Sequence, residues 1–190
     1  MLDQFPALDT VMVVAGMGTS FDFKDPTASS PLSINSEVTT NVTAPMVLAQ
    51  LLIPRLLSLK RSAAFVFVSS GLAFVPYPLF PVYCPTKAAI HTFAVLLRAQ
   101  LSGTNVRIVE LVPPYVDTAH DAAYRDSFIK AQGGPEKAMK PMPLQEFMDE
   151  AMEGLEDKSA KEVAVGSAVT RVSAWRETFD PFFKKMHVDG

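Results

Sequence analysis

The chain has 190 residues, of which 48% are hydrophobic and 19% charged, a composition typical of one globular domain. The formal net charge is -3 and no run of basic residues is longer than two, which argues against nucleic-acid binding. One cysteine, Cys84, cannot form an internal disulfide, and three scattered histidines show no metal-ligand spacing. We therefore expect a cytoplasmic protein without a metal. The N-terminus resembles no signal peptide and the apolar stretches are interrupted, so we expect no membrane partner.

Short apolar runs alternate along the chain with longer segments of helical periodicity. The predicted strands cover 10–15, 63–69, 105–112 and 162–166, and the predicted helices cover 36–58, 82–101, 144–156 and 169–187. Continuous apolar runs indicate strands that are buried on both faces, as in a parallel sheet. The pattern predicts one α/β domain over 1–190, with a doubly wound parallel sheet of about four strands.

Three segments between these elements differ in character. Residues 19–33 are polar and rich in Ser, Thr and Pro, and could lie over a substrate. Pro45 and Pro54 fall inside the helix predicted at 36–58, so we expect a kink or two pieces there. Residues 119–143 are polar and contain Gly133–Gly134, which predicts a loop.

The candidate catalytic residues are Ser70, Tyr83 and Lys87. Ser70 follows an apolar strand, and Tyr83 and Lys87 stand four residues apart at the start of a predicted helix. Side chains four apart share one helix face, so the ammonium group can approach the phenol and lower its pKa. Ser69 is an alternative to Ser70, but strand alternation lets only one of them face the site. The spacing from Ser70 to Tyr83 resembles the one in the short-chain dehydrogenase/reductase family, and this resemblance favours Ser70.

The strand, serine, tyrosine and lysine in this order resemble the active site of the short-chain dehydrogenase/reductase family, and the resemblance runs from about Leu8 to the C-terminus. It implies that Ser70 orients a carbonyl, that Tyr83 exchanges a proton and that Lys87 holds the ribose of a nicotinamide cofactor. Asn41 falls where the family has an asparagine that opens a bulge in a helix and connects through water to the lysine. A variable substrate region is implied at about 114–158.

The family usually begins with a strand, a glycine-rich turn and a helix that together bind the cofactor pyrophosphate. We find no such opening and expect a truncated member without the family's first three strands. The segment from Leu8 to Gly18 resembles its fourth strand and Asn-Asn-Ala-Gly motif, with Val13 and Val14 in place of the asparagines. If NAD or NADP binds, the resemblance implies contacts from Ala15, Gly16, Lys87, Pro113, Val116 and Thr118.

Three functions are compatible with this pattern. The first is acid catalysis by Ser70 and Tyr83, without a cofactor, on a carbonyl or enol of a hydrophobic small molecule, as in an isomerase, dehydratase, lyase or cyclase. The second is NAD(P)-dependent interconversion of an alcohol and a ketone, with the phosphate-binding half supplied by a partner chain or by upstream sequence. The third is a non-catalytic protein that binds a full-length family member. The aromatic residues expected to line a substrate pocket are Phe74, Tyr77, Phe80 and Tyr115.

Without three preceding strands, the strand at 10–15 would lie at the edge of the sheet. An apolar edge attracts other strands, and natural proteins cover it. We therefore expect a homodimer in which a second copy covers this edge. The histidines His91, His120 and His187 are interpreted as structural, with a general-base role for His120 kept as an alternative.

Overall fold

The computed structural model describes residues 4–25, 27, 30–122, 124–186 and 188, so His187 lies outside the described part. Within it, four parallel strands form one sheet in the order β1-β2-β3-β4. The strands are β1 at Thr10–Val13, β2 at Ala63–Val68, β3 at Val106–Val112 and β4 at Glu162–Ala164. The predicted α/β fold with about four strands is confirmed.

The two central strands carry the longest apolar runs because both of their faces are covered. Phe65 in β2 pairs in register with Val11 of β1 on one side and with Ile108 of β3 on the other. Phe65, Ile108 and Val109 are almost completely buried. A strand buried on both faces needs no polar alternation, which explains the continuous apolar pattern.

Helices cover both faces of the sheet. The described helices are α1 at Pro31–Val38, α2 at Ala44–Leu57, α3 at Tyr83–Gln100, α4 at Arg125–Ala131, α5 at Leu144–Glu156 and α6 at Ala168–Met186. On one face, Ile53 of α2 and Ile90 of α3 pack against Phe65. On the other face, Ala151 of α5 packs with Val66 and Val109. None of the helices in this described part is long and apolar enough to cross a membrane.

The helix predicted at 36–58 differs from the observed one in its start and its interruption. It begins at Pro31, where the Ser30 hydroxyl caps it by accepting a hydrogen bond from the Ser33 amide. The interruption is a π-helical turn at Thr39–Thr43 that joins α1 to α2. The expected division into pieces is therefore found next to Pro45, which lies in the first turn of α2, whereas Pro54 lies inside α2 without ending it.

The segment predicted as a loop at 119–143 contains α4. Its seven residues have no apolar periodicity, so no helix was predicted there. Ion pairing fixes its start, because the Arg125 guanidinium lies 2.7 Å from the Asp121 carboxylate one turn earlier. This ion pair joins residues only four apart, but a pattern of apolar residues does not reveal a charged pair.

His91 belongs to a buried group of charged residues between α3, the sheet and α6. Its Nδ1 lies 2.9 Å from Glu110 of β3 and 3.8 Å from Glu162 of β4. The spacing of these three would suit metal ligands. Two guanidinium groups contact the same carboxylates, however: Arg98 lies 3.4 Å from Glu110, and Arg176 pairs with Glu162. We therefore interpret the group as an ion-pair network that joins α3 and α6 to the sheet.

Gly154 marks the closest approach of α5 to the sheet. A Cβ atom at this position would overlap Cγ1 of Val163 in β4. We expect Gly154→Ala to lower the free energy of unfolding by about 1–3 kcal/mol, because the overlap outweighs the better helix propensity of alanine. Urea unfolding of the single variant and of the double variant with Val163→Ala measures the effect. Additive losses in the double variant would contradict a direct clash.

Candidate active site

The predicted catalytic residues meet at the carboxyl ends of the parallel strands. Ser70 follows β2, Gly16 follows β1, and Tyr83 and Lys87 lie in the first turns of α3. Parallel strands all end at the same edge of the sheet, so residues far apart in sequence come together there. This edge opens into a cavity of about 550 Å³, which Gly16, Ser70, Tyr83 and Lys87 line.

The Tyr83 phenol is held in its protonated form. Burial raises its pKa to about 12, while a hydrogen bond from Ser70 opposes this in part. The Ser70 hydroxyl also accepts a hydrogen bond of 3.1 Å from the Leu72 amide. The hydroxyl of neighbouring Ser69 has no hydrogen-bond partner among the described residues. Of the two serines, Ser70 is therefore the one that contacts Tyr83.

Lys87 lies beside the tyrosine on the same face of α3. Its Nζ is 5.5 Å from the centre of the Tyr83 ring and donates a hydrogen bond of 2.9 Å to the Val68 carbonyl. Burial lowers the Lys87 pKa to about 8, and the charge of Glu37 raises it in part. An ammonium group has three N–H donors, and the Val68 carbonyl occupies one of them. The others remain for a ligand in the cavity.

Asn41 lies in the π-helical turn that joins α1 and α2. Its amide group donates to the Met17 carbonyl at 2.8 Å and accepts from the Met17 amide at 2.9 Å. It also donates to the Thr86 hydroxyl at 3.0 Å, and that hydroxyl donates to the Tyr83 carbonyl at 2.8 Å. Asn41 thus joins the segment after β1 to α3. π-Helical turns occur frequently at functional sites because they displace backbone groups from the helical ladder.

Glu37 is a site residue that the sequence analysis missed. It lies one turn before Asn41 and is fully buried, and no described group makes a well-formed hydrogen bond to its carboxylate oxygens, although Thr19 lies close enough to affect their pKa. Burial raises its pKa to about 7, while Thr19 and the charge of Lys87 lower it only in part. In the sequence it reads as an ordinary helix glutamate, because only the packing of α1 against α3 buries it.

His120, which the sequence analysis interpreted as structural, lies beside Tyr83 at the cavity. Its ring centre is 6.2 Å from that of Tyr83, and it lines the cavity. Burial and the charge of Lys87 lower its pKa, so the imidazole is neutral at pH 7. Gly18 provides space between the two rings, because a Cβ there would lie 3.2 Å from Tyr83 and 3.5 Å from His120.

The remainder of the cavity is largely apolar. Three of the four predicted pocket aromatics, Tyr77, Phe80 and Tyr115, line it. Phe74, the fourth, does not line the cavity. Its ring packs against those of His91 and Trp175, at centre distances of 4.5 and 5.7 Å. The apolar residues of the wall that the sequence analysis did not name include Val75, Tyr124, Phe128, Met139, Leu144, Phe147, Met148, Met152 and Leu155.

Most residues predicted to contact a cofactor lie at the same cavity. Gly16, Lys87, Pro113, Val116 and Thr118 line it. Ala15, two residues after β1, is exposed and is not part of the wall. A side chain at Gly16 would place its Cβ 3.4 Å from the Lys87 ammonium and 3.6 Å from the Asn41 amide oxygen. The glycine therefore leaves open the space in front of these two polar groups.

Comparison with known proteins identifies the family. The family model described as short chain dehydrogenase matches residues 1–127. The chain belongs to the short-chain dehydrogenase family. It is 34% identical to the "Uncharacterized oxidoreductase DltE" of Bacillus subtilis, over 98% of this chain and 70% of that protein. It is also 34% identical to a sulfoacetaldehyde reductase of Chromohalobacter salexigens, over 46% of this chain and 40% of the relative.

Solved structures of the family share the fold. A short chain dehydrogenase from Burkholderia cenocepacia in complex with NADP superposes with a TM-score of 0.72 at 21% identity, over 96% of this chain and 70% of that one. A short-chain dehydrogenase from Sphingobium yanoikuyae in complex with NADPH gives a TM-score of 0.69 at 21% identity, over 91% and 65%. The expectation that no cofactor is used is wrong, because these neighbours hold nicotinamide cofactors and the Bacillus relative is named an oxidoreductase.

The ionisation of Glu37 predicts a pH dependence of stability. Its pKa in the native state, about 7, exceeds the ordinary value of 4.5, so the folded chain holds the proton more tightly than the unfolded chain. The resulting stability is present at low pH and is lost as the pH rises from about 5 to about 8. We expect Glu37→Gln to reduce the fall in Tm over this range, as measured by circular dichroism. Glu153→Gln, at an exposed position on α5, serves as the control.

Lys87 does not obscure this test, because its lowered pKa of about 8 changes stability mainly above that range. An unchanged pH profile in Glu37→Gln would contradict the assignment of a raised pKa to this carboxyl group.

Proposed function

We propose that this protein catalyses the reversible, NAD(P)H-dependent reduction of a carbonyl group on a hydrophobic small molecule in the cytoplasm. The observation that carries the proposal is the placement of Ser70, Tyr83 and Lys87 together at the wall of an apolar cavity, where burial keeps the Tyr83 phenol protonated. The named oxidoreductase and reductase relatives support this class of reaction over an isomerase or lyase.

Tyr83 and Ser70 supply the proton chemistry of this reaction. A carbonyl oxygen placed between the two hydroxyls would accept a hydrogen bond from each, which stabilises negative charge as it develops on that oxygen. The carbonyl carbon would receive a hydride, which is the chemistry that a bound nicotinamide group would supply. Tyr83 then gives its proton to the oxygen and completes the alcohol. A pKa of about 12 keeps that proton available at pH 7.

The described residues fit the nicotinamide and ribose end of the cofactor. Lys87 has unused N–H donors for ribose hydroxyls, and Gly16 leaves room beside it. Thr118 lines the same cavity and, by the family resemblance, would contact the carboxamide. We propose that the contacts to the pyrophosphate and adenosine come from a partner chain or from sequence that precedes this chain. The chain spans 70% of the Bacillus relative and 40% of the Chromohalobacter reductase.

Removing the phenolic hydroxyl tests the proposal. We expect Tyr83→Phe to lower kcat for NAD(P)H-dependent carbonyl reduction on the order of a thousandfold, because general acid catalysis by a positioned group is lost. The loss of NAD(P)H absorbance in the presence of aromatic and aliphatic ketones and aldehydes measures the rate. Calorimetric titration with NADH and NADPH measures binding, which we expect Tyr83→Phe to retain.

Lys87 provides a second variant with a matched control. We expect Lys87→Met to weaken cofactor binding and lower kcat, whereas Lys184→Met, at an exposed position near the end of α6, changes neither. A folded wild-type protein that binds neither NADH nor NADPH, even with its partner chain, would contradict the proposal.

We also propose that a second copy covers the edge of the sheet at β1. Among the described strands β1 has a neighbour on one side alone, and Met12 and the following Val14 are 41% and 62% exposed. Unprotected apolar edges favour association.

We expect sedimentation velocity at micromolar concentration to show a dimer, which Met12→Lys converts to a monomer by placing a charge at the edge. Leu32→Lys, on α1, introduces the same charge at another exposed apolar position and should leave the dimer intact. A wild-type monomer would contradict the proposal.

A further inference from the structure

Arg171 places a positive charge at the wall of the apolar cavity. It lies in the first turn of α6 and is half-buried. Its Nη1 atom is 3.5 Å from the position that a Cβ on Gly71 would occupy, and Gly71 directly follows Ser70. Consecutive Cα atoms are about 3.8 Å apart, so the guanidinium group lies within about 9 Å of the Ser70 Cα. Arg171 is therefore close to the place where the carbonyl of a substrate would bind.

No carboxylate in the described part of the chain forms an ion pair with Arg171. The other arginines near the cavity differ in this respect. Arg125 pairs with Asp121, and Arg176, five residues further along α6, pairs with Glu162 and Asp180. The charges of Arg125 and Arg176 are thus compensated by carboxylates of the fold. The charge of Arg171 has no such counterion among the described residues.

A charge that is withdrawn from water without a counterion is costly, so unpaired guanidinium groups are uncommon in apolar surroundings. The wall of the same cavity includes the apolar side chains Leu144, Met148 and Met152 of α5. Burial raises the pKa of the Cys84 thiol on α3, and the charge of Arg171 opposes this only in small part, which shows that the guanidinium group lies within electrostatic reach of the residue after Tyr83. An anionic group of a ligand would supply the missing counterion.

We propose that Arg171 binds the carboxylate of the substrate, and that the substrate is an oxo acid with an apolar chain. The inference rests on the proposed function, which places the carbonyl oxygen at Ser70 and Tyr83. A carboxylate a few bonds from that carbonyl reaches the guanidinium group, which can hold it with two parallel hydrogen bonds. The apolar remainder then packs against the α5 side of the cavity.

A pair of probes that differ only in charge tests this inference. γ-Oxodecanoic acid and its methyl ester are compared as substrates with NADPH and as ligands in calorimetric titrations that need no turnover. The variants are Arg171→Gln, which removes the charge, Arg171→Lys, which keeps it, and Lys184→Gln, which removes a charge from the exposed end of the same helix.

We expect the wild-type protein to prefer the acid. Arg171→Gln should raise KM and Kd for the acid by about tenfold to a hundredfold, the loss of one charge-assisted interaction, with little change for the ester. Arg171→Lys should restore part of the preference, and Lys184→Gln should leave it unchanged. A role of Arg171 in folding alone would weaken acid and ester equally and would overturn the inference.

The two proposals fail in different ways. Reduction of the ester without a preference for the acid would overturn the role of Arg171 and leave the reductase function standing. Binding of the acid that depends on Arg171, without NADPH oxidation, would support the anion site and contradict the reductase function. Failure to bind either probe would overturn the inferred substrate class.

Discussion

The Asn41 side chain is the constraint on which the arrangement of the site depends. One buried amide group makes hydrogen bonds to both backbone groups of Met17 and to the Thr86 hydroxyl. Thr86 in turn holds the backbone of Tyr83. The segment after β1, the π-helical turn and the start of α3 therefore keep one relative position. Loss of this amide would leave several buried polar groups unpaired, each costing about 1–3 kcal/mol.

Local patterns were sufficient for the sheet and for the centre of the site. The strands could be predicted because burial on both faces leaves a continuous apolar run, and Ser70, Tyr83 and Lys87 because their spacing reflects one strand end and one helix face. Glu37 and Arg171 could not be predicted. What distinguishes them is the burial and the missing counterion that distant segments create. α4 was missed for a different reason, since a local ion pair between Arg125 and Asp121, and not apolar periodicity, fixes its start.

The buried network around His91 connects the interior of the sheet to α6, the helix that carries Arg171 to the cavity wall. Glu110 lies fully buried in β3, within a sequence that otherwise reads as an apolar strand. The Arg98 guanidinium pairs with it and the His91 ring contacts it, both from α3, and Arg176 brings α6 to Glu162. Arg171 lies on the same helix as Arg176. The position of the Arg171 guanidinium group at the cavity therefore depends on the ion pair between Arg176 and Glu162 of β4.

The methionines of the cavity wall bear on how selective such a pocket can be. Met12, Met139, Met148 and Met152 all line the cavity. An unbranched thioether has three rotatable bonds and adapts to ligands of different shape at little cost. A wall of this kind discriminates poorly between chain lengths or branching patterns. The same sulfur atoms are open to oxidation, and sulfoxides would make an apolar pocket polar. Oxidative stress would thus change the chemistry of the pocket without touching the catalytic residues.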